Sequence, residues 1–333
     1  MTKKVDNTID FLKLVMSIMV VGIHTHIEKY IQSVQGQFYF VSAILRLAVP
    51  FFFVVSGYYL GKKFWNKDAI ERKSVLRVYV KNLIVPFLFW SILHLLPSLK
   101  NLYDTCDGNK VYFVLKIIRQ MLFYPLGAMW FVLACIVGAI IIFILWEYPK
   151  VMCIIIFPLY IFALLGNNYY FLLSNTRFID ICLKVIISTR NGIFVGFPFM
   201  FLGASIAKPL LLERIKLKTL LCTVIGAYIL LLIEIGLVCD KAYIDDRGLF
   251  VSYLILVPCI VMLAIKKNIF ISKNTMLFRK LSSCIYYTHR FYLMIIMELL
   301  KGNTVNELFF PVIICCLMTY MISNKIICLK KIL

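Results

Sequence analysis

A chain of 333 residues that is 62% hydrophobic and only 16% charged, with a mean hydropathy of +0.91, cannot be a soluble globular domain. Its formal net charge of +20 invites a nucleic-acid reading, but the basic residues fall between apolar stretches and mostly on one side of them, so the surplus reads as membrane topology and attraction to anionic lipid. The eleven cysteines stand singly apart from Cys315-Cys316, and no Cys/His spacing marks a metal site.

Apolar stretches near 20 residues recur along the whole length and predict an all-α polytopic membrane protein, with residues 1–333 as a single domain. Ten spans are expected, over about 9–27, 38–60, 76–97, 128–146, 150–166, 192–207, 216–238, 249–265, 281–299 and 308–329. The first apolar run lacks a small-residue cleavage site, so it is not expected to be a removable signal. The excess of lysine and arginine on one side is expected to place both termini in the cytoplasm.

The first span carries Asp10, Lys13, Ser17, His24 and His26. Lys13 and His24 are eleven residues apart, about 1100° of helical rotation, so they share a face and stand about 16 Å apart along the axis. Asp10 and Ser17 fall near the same line, whereas His26 lies about 200° around from His24. Ionisable groups inside a membrane are costly and read as functional.

The second span is expected to run from outside to inside as one helix, with Arg46 about 12 Å below its outer end and Ser56-Gly57-Tyr58 near the cytoplasmic end. Small residues let backbones approach, so Ser56-Gly57 reads equally as helix packing. The basic segment Lys62 to Lys81 follows. Lys62 and Lys63 suit a solvated loop; Arg72 leads into the third span, and Arg77 and Lys81 stand within it, where a phosphate-bearing ligand could neutralise them.

The next outer loop contains Lys110 to Arg119, an amphipathic pattern suited to a helix lying on the membrane surface, and leads to Trp130-Phe131. A second outer loop ends Thr189-Arg190-Asn191-Gly192-Ile193-Phe194 and enters a span with Gly196, Pro198 and Gly203, expected to be irregular or tightly packed beside a cavity. Glu234 and Glu298 stand near outer helix ends, and Cys106 and Cys239 fall in outer loops where a disulfide is conceivable. His94 has no polar company and reads as interfacial. The ninth span carries Ser282-Ser283-Cys284-Ile285-Tyr286-Tyr287-Thr288-His289-Arg290, with His289 about 12 Å from its cytoplasmic end.

The I-D-F-L-K start with Lys13-x10-His24, the run V-P-F-F-F-V-V-S-G-Y-Y-L, Trp130-Phe131 and S-x-x-Y-Y-x-H resemble the membrane acyltransferase family 3 over nearly the whole chain. R-L-A-V-P-F-F-F-V-V-S-G-Y-Y, T-R-N-G-I-F and F-P-F-M-F-L-G further resemble the N-terminal membrane domain of vancomycin-resistance membrane-bound serine racemases. In those proteins a cytoplasmic racemase domain with pyridoxal phosphate (PLP) follows the last span. The chain is therefore compatible with the membrane half of a longer protein, and no PLP site is expected within it.

The resemblance implies a channel in which acyl-CoA enters from the cytoplasm and a hydroxyl acceptor arrives from outside. His24 matches the family's essential histidine, Ser56-Gly57-Tyr58 its motif near the donor mouth, and His289 the motif histidine of the late helix. Lys13 stands where the family usually has arginine, which keeps the charge but not the bidentate geometry. Two functions are expected as alternatives. One is acyl-CoA-dependent O-acylation of an envelope or small hydroxyl acceptor. There His24 acts as base or acyl carrier, and Tyr58, Trp130 or Arg190 is the oxyanion donor. The donor phosphates would meet Lys13, Arg72, Arg77 and Lys81. The other is uptake or delivery of L-serine, held as a zwitterion by Arg190 and outer acids. Arg46, Trp130, Arg190 and Glu234 are the substrate-side candidates, and no metal or nucleic acid is expected.

Overall fold

In lipid a segment must satisfy its own backbone hydrogen bonds, and a helix does so without a partner. The computed structural model describes residues 7–173, 177–241, 248–267, 275–300 and 304–323, and these hold helices and no strand. In order they are α1 (Asn7–His24), α2 (Val34–Ala43), α3 (Ala48–Phe64), α4 (Ala69–Leu95), α5 (Leu99–Asp104), α6 (Lys110–Phe123), α7 (Met129–Ile144) and α8 (Pro149–Leu165). Then follow α9 (Phe178–Ile186), α10 (Phe197–Ile206), α11 (Leu211–Arg214), α12 (Leu217–Val238), α13 (Tyr253–Lys266), α14 (Thr275–Leu299) and α15 (Phe309–Ser323).

Helices occupy each of the ten expected segments, but among the described residues length and apolarity alone qualify five stretches to cross a membrane. These are Asn7–His24, Val34–Phe64, Ala69–Asp104, Leu217–Val238 and Val305–Ser323. The apolar helices Met129–Ile144, Pro149–Leu165, Gly192–Ile206 and Tyr253–Lys266 are shorter. α14 is long enough but carries Arg279, Lys280, Arg290 and Glu298. Residues 324–329 of the last expected span lie outside the described residues.

The second span is broken, which corrects the single helix expected over 38–60. Pro50 has no amide hydrogen and its ring collides with the carbonyl four residues earlier, that of Arg46. The chain therefore ends α2, makes a 3-10 turn at Leu45–Leu47 and restarts as α3 with Pro50 in its first turn. The Tyr253 hydroxyl donates to the carbonyl of Ser42, one of the acceptors freed by the break. Arg46 thus projects from a turn rather than from a helix wall.

The main core joins α3, α7, α8, α10, α12 and α13 around Phe51, Phe53, Phe197, Phe199, Phe250 and Tyr253, all almost wholly buried. α3 and α10 touch backbone to backbone. A β-carbon on Gly57 would stand 1.9 Å from the Met200 carbonyl oxygen, and one on Gly203 would stand 1.9 Å from that of Val54. Real side chains never come so close, so only glycine permits this contact. α6 begins at Asn109, whose side chain accepts from the Tyr112 amide, and buries none of its residues, as a surface helix should. Arg119 reaches from it to the carbonyls of Val185 (3.0 Å) and Leu183 (3.3 Å) at the end of α9.

Candidate active site

α1 and α14 run parallel, and their polar residues meet rung by rung. The Thr275 hydroxyl donates to Asn7 Oδ1 at 3.1 Å, and the Phe11 and Phe278 rings meet edge to face at 5.8 Å. Asp10 is wholly buried and accepts from Arg279 Nε (3.1 Å) and Nη2 (2.7 Å), with Lys13 Nζ at 3.6 Å. A buried carboxylate needs such cations. The Ser282 hydroxyl then donates to the Lys13 carbonyl at 2.9 Å, and the Lys13 ammonium lies 4.7 Å over the Tyr59 ring.

Farther along, the two candidate histidines come together. The rings of His24 and His289 stack with centroids 5.3 Å apart and planes 27° apart. The expected depths had separated them. α14 begins at Thr275 rather than near residue 281, so His289 lies about 21 Å along its helix, close to the roughly 26 Å of His24 along α1. His289 Nδ1 is 2.9 Å from the Ile285 carbonyl oxygen and 2.7 Å from that of Tyr286. Carbonyls only accept, so Nδ1 carries the proton and Nε2 presents a lone pair, with no hydrogen-bond partner among the described residues.

Two cavities flank this pair along α14. One, of about 200 Å³, is lined by Lys13, Ser56, Tyr79, Cys135, Arg279 and Ser282, among others up to Tyr287. The other, of about 450 Å³, begins at Arg290 and includes His94, Ser98, Gly127, Leu293 and Glu298. His289 lies between the residues lining the first and those lining the second.

The guanidinium groups of Arg290, Arg46 and Arg190 lie near enough to act electrostatically on His24. Arg190 owes its place to the segment Thr189-Arg190-Asn191-Gly192. The buried Thr189 hydroxyl donates to the Ala163 carbonyl at 3.0 Å. The Asn191 side chain accepts from the amides of Ile193 (3.0 Å) and Phe194 (3.2 Å), opening a π-helical turn at Gly192–Gly196. π turns widen a helix and recur at functional sites. Arg190 donates to the Tyr124 hydroxyl at 3.2 Å and lies 5.9 Å over the Trp130 ring, on which Tyr124 stacks.

The structure therefore gathers Lys13 with Ser56 at the smaller cavity, His24 with His289, and Arg46, Arg190 and Trp130 beside them. Other candidates lie elsewhere. Arg72 is paired with Glu147 and donates to the Lys67 carbonyl at 2.5 Å. Arg77 and Lys81 stand on the exposed face of α4, because a one-turn spacing from Lys73 puts all three on the stripe opposite the buried one. Gly57 serves the α3–α10 contact. Tyr58 is buried against Tyr59 with the Lys62 ammonium 5.2 Å over its ring, and Tyr59 is the ring that meets Lys13.

The Glu234 carboxylate accepts from the Tyr169 and Ser252 hydroxyls and from the amides of Val251 (2.6 Å) and Ser252 (2.9 Å), pinning the start of α13. Burial, aided by the Glu234 carboxylate, holds the Tyr169 phenol above its ordinary range, so it stays a donor. Cys106 donates to the Leu102 carbonyl at 3.1 Å and is not bridged to Cys239, which corrects the conceivable disulfide. The sequence reading missed Arg279 and misread His94, which is buried rather than interfacial. The signal for Arg279 was Asp10: a carboxylate inside a span demands a cation from another span.

Comparison with known proteins gives the chain's family. Residues 6–323 match the family described as Acyltransferase domain, of the acyltransferase 3 type. An amino-acid racemase of Enterococcus faecalis is 28% identical over 207 residues, covering 60% of this chain and 28% of the relative. A serine/alanine racemase of Enterococcus gallinarum is 26% identical over 245 residues, covering 71% of this chain and 33% of the relative. The chain thus spans a third or less of these relatives' own length. No solved structure matches it. With nearly its whole length matched, the chain belongs to the acyltransferase 3 family of membrane acyltransferases.

Proposed function

We propose that this protein moves an acyl group from acyl-CoA on the cytoplasmic side of the membrane to a hydroxyl acceptor arriving from the other side, through ten spans with both termini cytoplasmic. The observation that carries the reading is the stacked His24–His289 pair between two cavities, one of them rimmed by cations. Lys13 and Arg279 offer the donor's phosphates their counter-charge, and the narrow cavity beside Ser56 suits the pantetheine arm rather than the nucleotide.

The hydroxyl oxygen attacks the thioester carbonyl while His24 takes the hydroxyl proton. The tetrahedral intermediate collapses, the carbon–sulfur bond breaks, and the proton passes from His24 to the departing thiolate. Arg46 and Arg190 supply positive charge where the oxyanion forms. His289, with its Nδ1 proton fixed on backbone carbonyls, holds the His24 ring in place.

Delivery of L-serine to a racemase domain is the reading that the relatives' names raise, with this chain as the membrane module of a longer protein. It keeps Arg190 for the carboxylate but loses Glu234, whose oxygens are already engaged. Purified protein in vesicles distinguishes the two. Acyl transfer from labelled acetyl-CoA that falls about 10²–10⁴-fold in His24→Ala supports the enzyme. Undiminished transfer removes His24 from the chemistry, and accumulation of labelled L-serine without transfer favours delivery.

A further inference from the structure

The larger cavity contains two groups that the acyl-transfer reading leaves unexplained. His94 is only 6% exposed, yet neither of its ring nitrogens has a hydrogen-bond partner among the described residues. Leaving a buried polar atom without a partner is costly, and both nitrogens belong to a side chain that lines an open cavity. The ring is held deliberately. It lies parallel to the Phe291 ring at 6.5 Å and edge-on to Trp90 at 6.3 Å. Against it lies Gly127, at φ +66, where a β-carbon would fall 1.6 Å from His94 Cδ2. Only glycine fits there, both for the backbone conformation and for the space the imidazole takes.

Arg290 is the second group. It is half-buried and lines the same cavity, and no hydrogen bond or ion pair to it exists among the described residues. A guanidinium presents five donors and does not give up its charge in a protein, so such a residue at this depth asks for an anion. It acts electrostatically on His94, on His289 and on His24, which links the cavity to the histidine pair in a single series of groups. Leu126, Leu293 and Met297 provide an apolar wall for the body of a ligand.

We propose that this cavity is a binding site for the anionic group, carboxylate or phosphate, of a small hydroxyl-bearing molecule. Arg290 is the counter-ion and His94 the hydrogen-bonding partner. The binding step stands on the cavity alone; only the further statement that the bound hydroxyl is the acyl acceptor rests on the acyl-transfer reading. With the anion fixed on Arg290, the adjacent residue His289 and its stacked partner His24 are the first basic groups the hydroxyl can meet.

Equilibrium binding to the purified full chain in lipid nanodiscs tests this, with L-serine as the carboxylate probe, glycerol 3-phosphate as the phosphate probe and glycerol as the neutral control. Saturable binding of one anion and none of glycerol is expected. Arg290→Gln should weaken it at least tenfold and Arg290→Lys by less. His94→Phe, which keeps the ring stack, should weaken it several-fold. His24→Ala should leave binding unchanged while abolishing transfer, so that loss of the acyl-transfer reading and loss of this site give different results. Equal binding by wild type and Arg290→Gln, or no saturable binding of either anion, overturns the proposal.

Discussion

Two helix pairs in this bundle are packed tightly by opposite means. α3 and α10 meet through Gly57, Gly61 and Gly203, with backbone against backbone and no side chain between. α1 and α14 meet through Asp10–Arg279 and Ser282–Lys13 at one end and His24–His289 farther along, with apolar residues such as Val21 and Ile285 between. In hydrocarbon there is little hydrophobic force between helices, so either close van der Waals contact or polar contact must hold them. The first pair fixes a rigid wall. The second places charge and imidazole at chosen depths along a wall that faces cavities.

The glycine wall gives the largest expected effect. Gly57→Leu would drive a side chain into the Met200 backbone, which cannot give way as a flexible side-chain tip can. Overpacking in a core costs about 1–3 kcal/mol when neighbours can move, and more is expected where they cannot. The variant should yield no monodisperse protein after detergent extraction. Gly226→Ala, where the new methyl meets nothing within 4 Å, should behave as wild type. A stable Gly57→Leu protein would show that α3 and α10 are not locked together.

The polar wall should fail differently, in rate and not in folding. His289→Ala and His289→Phe are expected to lower acyl transfer by about 10²-fold each, with thermal stability little changed. The phenylalanine keeps a ring against His24 but has no nitrogen. Wild-type transfer by His289→Phe would mean that stacking alone is needed and that the tautomer fixed by Ile285 and Tyr286 is incidental.

Part of this contrast was legible in the sequence. Lys13 and His24 fall on one helical stripe whatever the fold, so their shared face followed from the helical repeat alone. Ser56-Gly57 looked equally like packing or a ligand motif, and the two residues divide the roles: Ser56 lines the smaller cavity and Gly57 meets Met200. The meeting of His24 with His289 was hidden because it depends on where α14 begins, and a polar helix start inside a basic loop has no sharp hydropathy edge. That Arg77 and Lys81 face outward from α4 was not legible, because depth along a span says nothing about which way a side chain faces. His94 was undervalued because its cavity partners, Gly127 and Arg290, are remote in sequence.

Glu234 tests the boundary between structure and site. It was expected to hold substrate, but its carboxylate ties Tyr169 to the amides of Val251 and Ser252. Glu234→Gln replaces an acceptor-only group by one with half the acceptors and should lower stability by about 1–3 kcal/mol. Transfer per folded molecule should be unaltered. A raised KM with unchanged thermal unfolding would instead return Glu234 to the substrate.

The smallest expected effect separates the cations by direction rather than by depth. Lys13 and Arg279 line the smaller cavity, whereas Arg77 and Lys81 lie on the outer face of α4. A CoA phosphate seated at the cavity mouth would feel the first two at contact distance and the others only across lipid headgroups and solvent. Contact pairs at such a partly wet site survive moderate salt, while separated charges are screened over about 8 Å at physiological ionic strength. Arg279→Gln or Lys13→Ala should weaken CoA binding about tenfold, equivalent to about 1.4 kcal/mol. Arg77→Ala should change it by less than about twofold, and that small change should vanish in high salt. Arg279 needs a second check because it also neutralises Asp10, so its loss could loosen α1 from α14. Asp10→Asn combined with Arg279→Gln removes both charges, and CoA binding that stays weak in that pair assigns the effect to the missing guanidinium rather than to the unpaired carboxylate.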